Sequence, residues 1–138
     1  MPVRTFIDVL SKWAPAVVVA SLIASVLGAW TSAPDRLINS LALVVGSLAL
    51  VLLIARGMRE QFRPKEELGF TRMRDLIAYE FSGKGLPRGS YPLAALGMLT
   101  WLMTGVQSAY GWLAFSGFAL TIAWIKANVR YPADPASR

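Results

Sequence analysis

Three long apolar blocks without a charged residue dominate the chain, at residues 13–34, 37–55 and 89–125. A helix rises about 1.5 Å per residue, so roughly 20 residues cross the hydrocarbon core of a bilayer. The first two blocks each fit one span, and the third is about twice as long as one span needs. The pattern predicts an all-α membrane protein with four transmembrane helices, arranged as two hairpins.

The predicted parts form a single integral membrane domain, residues 1–138, with boundaries set by charges, prolines and turn residues. They are an interfacial helix at 2–13, spans at 14–32, 37–55, 91–108 and 111–127, a basic cytoplasmic segment at 56–90, and a cytoplasmic tail at 128–138.

The N-terminal residues 2–13 alternate with helical periodicity between an apolar and a polar side, which is typical of a helix lying on a membrane surface. Pro15 disfavours a helical Ala14, so we expect the chain to turn into the bilayer there. The apolar run that follows is long for a signal peptide, which favours a retained span.

The segment from Arg56 to Arg88 holds eight of the fourteen Lys and Arg residues. Pro64 should end the helix that enters it. Thr71 is a candidate N-cap for a short amphipathic cytoplasmic helix over residues 72–82. Glu80 falls within the apolar arc of that helix, where it pairs with Lys84 or faces another protein.

The distribution of basic residues predicts the orientation. With four spans, thirteen Lys and Arg residues lie on the side of both termini, and only Arg36 lies on the other. Short loops rich in Lys and Arg stay in the cytoplasm, so both termini should be cytoplasmic in a cell inner membrane. The net charge of +6 is then explained by anionic lipid head groups, and we expect no nucleic-acid partner.

The residue inventory restricts the chemistry. The chain has no Cys and no His, which excludes disulfides, thiol catalysis and imidazole metal sites. The interiors of the predicted spans carry no ionisable residue, which argues against ion-coupled transport by this chain alone. We see no nucleophile–base pair and no carboxylate cluster, so the sequence predicts no enzyme, no cofactor and no metal.

Small and hydroxyl residues recur on the predicted spans and suggest faces for close helix packing. They are Ala20, Ala24 and Gly28 on the first span, Ala42 and Gly46 on the second, and Thr100, Thr104 and Ser108 on the third. The hydroxyl stripe has two interpretations: a wet path or interhelical seam, or side chains bonded back to their own helix.

These features favour an accessory or assembly subunit of a larger inner-membrane complex. Its expected partners are membrane lipid and other membrane subunits or further copies of itself. The predicted contact residues for a partner or lipid are basic: Arg59, Arg63, Arg72, Arg74, Lys84 and Arg88. Two alternatives are a self-assembling pore such as a phage-type holin, and a small carrier or flippase for a lipid-linked or small molecule.

Overall fold

The structure, a computed structural model, describes residues 3–57, 64, 69–83 and 85–129, without the side chains of residues 3 and 4. These residues form helices and turns, with no strand among them. The helices are α1 (Val3–Thr31), α2 (Asp35–Leu52), α3 (Met73–Ser82), α4 (Ser90–Thr104) and α5 (Ala109–Asn128), and a π-helical turn (Leu53–Gly57) extends α2. The prediction of an all-α fold is confirmed.

Two of the helices are long and apolar enough to cross a membrane, by length and composition. The candidate spans are Thr5–Thr31 within α1 and Asp35–Arg56, which is α2 with most of its π-helical extension. By contrast, α4 has 15 residues and a length of about 22 Å, less than a bilayer core.

The predicted break between an interfacial helix and the first span is absent, because α1 continues through Pro15. A proline in a helix interior removes one hydrogen bond and usually breaks or kinks the helix. Here, Ile7, Leu10 and Ala14 are buried in the same core as the later turns, so tertiary packing outweighs that local preference. Residues 3–13 therefore belong to α1 and do not form a separate element.

Buried positions on α1 and α2 recur at alternating steps of four and three residues. This spacing keeps one stripe of each helix facing its neighbours, as in coiled coils. The stripes are Ile7, Ser11, Ala14, Val18, Ser21, Ser25 and Gly28 on α1, and Ile38, Ala42, Val45, Ala49 and Leu52 on α2.

Helix α5 is central, and it packs against α1, α2 and α4. The Ser25 hydroxyl donates to the Tyr110 carbonyl at 2.6 Å near one end of α5, and the Asn128 amide donates to the Ser11 hydroxyl at 2.8 Å near the other. Helices α1 and α5 are thus antiparallel along most of their length. Because α1 and α2 are joined by a short turn, α2 runs parallel to α5.

The short turns 32–34 and 105–108 lie at one end of the bundle. The Tyr110 hydroxyl ties them together by donating to the Ala33 carbonyl at 2.7 Å. The start of α1, the π-helical turn and the end of α5 lie at the other end, where Arg56 forms an ion pair with Asp8. We call these the turn end and the terminal end.

The second hairpin turns earlier than the sequence predicts. Helix α4 ends at Thr104, not at residue 108, because Gly105 adopts a φ of 104° that only glycine enters readily. Ser108 is instead the N-cap of α5, and its hydroxyl accepts a hydrogen bond from the Gly111 amide at 3.0 Å. In the segment between the two hairpins, Arg72 rather than Thr71 is the N-cap residue of α3.

We predict that Gly97→Val destabilises the bundle by about 1–3 kcal/mol, a typical cost of overpacking. A Cβ atom at Gly97 would lie 3.1 Å from the Phe118 Cβ and 3.2 Å from the Phe118 Cα, which is backbone and cannot move aside cheaply. Thermal unfolding in detergent measures the effect. The control is Leu99→Val on the same helix, at an exposed site. Equal unfolding temperatures for both variants would contradict the close approach of α4 to α5.

Candidate functional site

A groove follows the line where α2 meets α5, on the outside of the bundle. Its part nearer the turn end has a volume of about 590 Å³, and its part nearer the terminal end about 370 Å³. The two parts share Gly46, Leu50 and Phe115, so they are continuous. We call this surface the α2–α5 groove, and its remaining lining residues are Asn39, Ala42, Leu43, Ser47, Ala49, Leu53, Trp112, Ser116, Phe118, Ala119, Ile122 and Ala123.

A second set of positions on α2 faces the groove, and each of them follows a residue of the buried stripe by one position. The groove-facing positions are Asn39, Leu43, Gly46, Leu50 and Leu53, again at steps of four and three. Leu43 is 72% exposed and Leu50 57% exposed, so these side chains project out of the bundle. Side chains spaced in this way form the kind of surface against which a second helix packs.

The packing of the residues that the structure describes does not require a glycine at position 46. A Cβ atom there would meet only the Ser116 hydroxyl oxygen, at an ordinary 3.7 Å. At Gly28 and Gly97, by contrast, an added Cβ would lie 2.9 Å and 3.1 Å from the nearest atom. A glycine inside a helix costs up to about 1 kcal/mol relative to alanine. The space at Gly46 thus suits a close approach from outside the bundle.

Three polar side chains lie along the otherwise apolar groove. The Ser116 hydroxyl donates to the Trp112 carbonyl at 2.9 Å, within its own helix. Asn39 and Ser47 are exposed, and their side chains make no hydrogen bond to any residue that the structure describes. Both remain available to a partner that supplies donors and acceptors.

The other small residues predicted to pack helices have different surroundings. Gly28 is buried against Ile38 and Tyr110, and Ala42 is buried at the base of the groove. Ala24 is partly buried against the core, whereas Ala20 is exposed. Spacing by four alone missed the alternating repeat through Ser21 and Ser25, which a search for steps of three and four would have found.

The hydroxyl stripe of α4 is bonded back to its own segment. The Thr100 hydroxyl donates to the Leu96 carbonyl at 2.7 Å, and the Thr104 hydroxyl donates to the Thr100 carbonyl at 2.7 Å. Ser108 donates to the Thr104 carbonyl at 2.8 Å while it caps α5. This geometry supports the second of the two interpretations that the sequence left open.

The predicted basic contact residues that the structure describes lie away from the groove. Arg72, Arg74 and Arg88 are exposed on and after α3. Arg59, Arg63 and Lys84 lie outside the described residues, as does the predicted tail from residue 130 onward. The structure therefore separates two surfaces: the apolar α2–α5 groove and a basic region around α3.

The residues that the structure describes form a helical bundle with two candidate membrane spans and an exposed apolar groove. Comparisons of the chain with protein-family models, curated protein sequences and solved structures find no match.

We predict that Ser108→Ala lowers the stability of the bundle by about 1 kcal/mol, because it removes the N-cap of α5. Thr104→Val should have a smaller effect, because the Thr104 hydroxyl bonds only to carbonyls of its own helix. Chemical unfolding in detergent compares the two variants. A larger loss for Thr104→Val would show that this hydroxyl contributes a contact outside its helix.

Proposed function

We propose that this chain is a non-catalytic inner-membrane protein with four spans, serving as an accessory or assembly subunit of a larger membrane complex. The α2–α5 groove is the observation that carries this proposal. We propose that a transmembrane helix of another subunit lies in this groove, against α2 and α5.

The outer surface of the bundle supports a membrane location. Only 33% and 22% of the residues in the most apolar windows of the two candidate spans are buried inside the bundle. The core helix of a soluble protein is mostly buried, whereas these helices expose large side chains such as Ile23, Leu43 and Leu50. A surface of this kind avoids water only if lipid or another protein covers it.

The arrangement of α4 and α5 supports four spans. Helix α5 lies alongside α1 from Ser25 to Ser11, so it extends through the same depth as a candidate span. Helix α4 packs on α5 and is short for a bilayer, but a helix–helix contact and local thinning of the bilayer accommodate a modest mismatch. The charge distribution then favours the terminal end, with both termini, in the cytoplasm.

The chemistry of the groove favours a helix over a lipid chain as its occupant. An acyl chain would fill the apolar volume but would offer no hydrogen-bond donor or acceptor to the amide of Asn39 or the hydroxyl of Ser47. A polar side chain of a neighbouring helix supplies such bonds, each worth about 0.6–2 kcal/mol within a membrane. The space beside Gly46 also permits the close backbone approach that small residues provide.

We propose that the occupant belongs to another polypeptide chain, because the internal segments of this chain outside the described residues do not suit the groove. The parts of this chain outside the described residues include segments 58–63 and 65–68, which carry Arg59, Glu60, Arg63, Lys65, Glu66 and Glu67. Such charged segments are too short to span a bilayer and too costly to place in its core.

The pore alternative depended on a wettable α4, and Thr100 and Thr104 already satisfy their hydroxyls internally.

We predict that a photoreactive amino acid at Leu43 forms an adduct with a transmembrane segment of a different protein in native membranes. The same probe at Val44 is the matched control, because Val44 is exposed on the neighbouring face of α2 and does not line the groove. Mass spectrometry of the adduct identifies the attached peptide. Adducts with lipid only, or only with a second copy of this chain, would contradict the proposed subunit function.

Filling the groove should prevent that adduct. We expect Gly46→Leu to reduce the Leu43 adduct at least about tenfold, which corresponds to about 1.4 kcal/mol of lost binding free energy. Ala20→Leu is the control, because Ala20 is a small exposed residue on α1 outside the groove. Both variants must unfold at the temperature of the unmodified chain, so that the loss reflects binding. An undiminished adduct in Gly46→Leu would place the partner elsewhere.

A further inference from the structure

Helix α3 has an apolar side that the bundle does not cover. Met73, Ile77 and Phe81 are four residues apart and therefore share one face. They are 57%, 47% and 81% exposed, and no residue of α3 is buried. Since α3 lies at the terminal end of the bundle, this face is a distinct surface from the α2–α5 groove.

The rest of α3 is polar and partly basic. Arg72 and Arg74 are exposed, and Arg88 is exposed in the turn that leads to α4. On a helical wheel Arg74 lies at one edge of the apolar face, and Asp75 lies on the side of the helix opposite that face. The other edge of this face is occupied by Glu80. An apolar face with several Arg side chains close to it, here Arg72, Arg74 and Arg88, is found on helices that lie in the interface of an anionic membrane.

Contacts with α4 hold the end of α3 at the edge of the bundle. The Tyr91 hydroxyl, in the first turn of α4, lies 3.3 Å from the Glu80 carbonyl and 3.2 Å from the Phe81 carbonyl, both of which accept hydrogen bonds from it. Gly83 ends α3 with a φ of 75°, which lets the chain reverse towards α4. Tyrosine is enriched at the depth of the membrane–water interface.

The apolar face of α3 continues into the outer surface of α4 and α5. Phe81 and Tyr91 line a cavity of about 360 Å³ together with Ala94 of α4 and Ile122 of α5. Glu80, which falls within the apolar arc, and Lys126 also line this cavity. The surface that would contact lipid on α4 and α5 therefore reaches α3 at Phe81, beside the charged side chains of Glu80 and Lys126.

We propose that α3 lies in the cytoplasmic membrane–water interface, with Met73, Ile77 and Phe81 in contact with lipid and with Arg72, Arg74 and Arg88 at anionic head groups. The inference rests on the proposed membrane insertion of the bundle. It assigns to α3 the interfacial position that the sequence predicted for residues 2–13, which the structure places within α1. Lipid is the proposed occupant because the face adjoins the outer surface of α4 and α5 at Phe81, and because Arg72, Arg74 and Arg88 outnumber the carboxylates of Asp75 and Glu80.

The absence of cysteine makes spin labelling a direct test. Single-cysteine variants at Met73, Ile77 and Phe81, and on the other side at Asp75, Ala78 and Ser82, carry a nitroxide in the full chain. The chain is reconstituted into vesicles of phosphatidylcholine with phosphatidylglycerol. Collisions with oxygen report lipid exposure, and collisions with a water-soluble nickel complex report water exposure. We expect a several-fold higher oxygen-to-nickel ratio at the first three positions.

A label at Leu99, exposed on α4, separates this inference from the proposed function. A high oxygen-to-nickel ratio at Leu99 with low ratios at Met73, Ile77 and Phe81 would overturn the interfacial position of α3 and leave the bundle in the membrane. A low ratio at Leu99 would overturn the membrane insertion itself. Labels on α3 that are shielded from both reagents would show a protein partner instead of lipid and would also overturn the inference.

The contribution of charge is tested on the same labels. Combining Arg72→Gln with Arg74→Gln should reduce the oxygen-to-nickel ratio at Ile77 in vesicles that contain phosphatidylglycerol. In vesicles of phosphatidylcholine alone, the substitutions should change little, because attraction to anionic head groups is then absent. An equal change in both kinds of vesicle would contradict the proposed contact with anionic lipid.

Discussion

The packing of α5 against three other helices is the interaction on which the rest of the bundle depends. Helices α1, α2 and α4 each contact α5, and α2 and α4 rely on it for their place in the bundle. Small residues make this possible, because Gly97 lets α4 approach the backbone at Phe118 and Gly117 lies against Ser21 and Leu22. The same central position leaves one side of α5 uncovered beside α2, and that side forms the α2–α5 groove.

Several features of the fold could be predicted from the sequence, because they depend on long uncharged runs and on strong turn residues. The all-helical class, a short turn between the first two long helices and the short helix ending at Ser82 follow from such local signals, although α2 begins at Asp35, two residues before the predicted start. The continuity of α1 could not be predicted in this way. Pro15 is a local signal for a break, and the packing that outweighs it, including Ser11 against Asn128, joins residues that are far apart in the chain.

The candidate site illustrates the same limit. Gly46 was recognisable as a small residue, but its sequence context did not distinguish it from Gly28. Only the surroundings differ: Gly28 lies against Ile38 and Tyr110, whereas Gly46 borders open space. Likewise, the sequence predicts that α3 is amphipathic, but it does not show that the bundle leaves the apolar side of α3 uncovered. A local sequence pattern identifies candidate contact residues, but only the fold shows which of them pack within the bundle and which remain exposed.

The account depends most on the second hairpin crossing the membrane, and single-cysteine labelling measures this directly. Cysteines at Ser32, Ala78 and Gln107 are treated with a membrane-impermeant maleimide, before and after cells are opened. Four spans predict that Ser32 and Gln107, both at the turn end, react from outside intact cells and that Ala78 reacts only after lysis. Labelling of Ser32 from outside, with Gln107 reacting only after lysis, would contradict the account, because α4 and α5 would then remain on the cytoplasmic side.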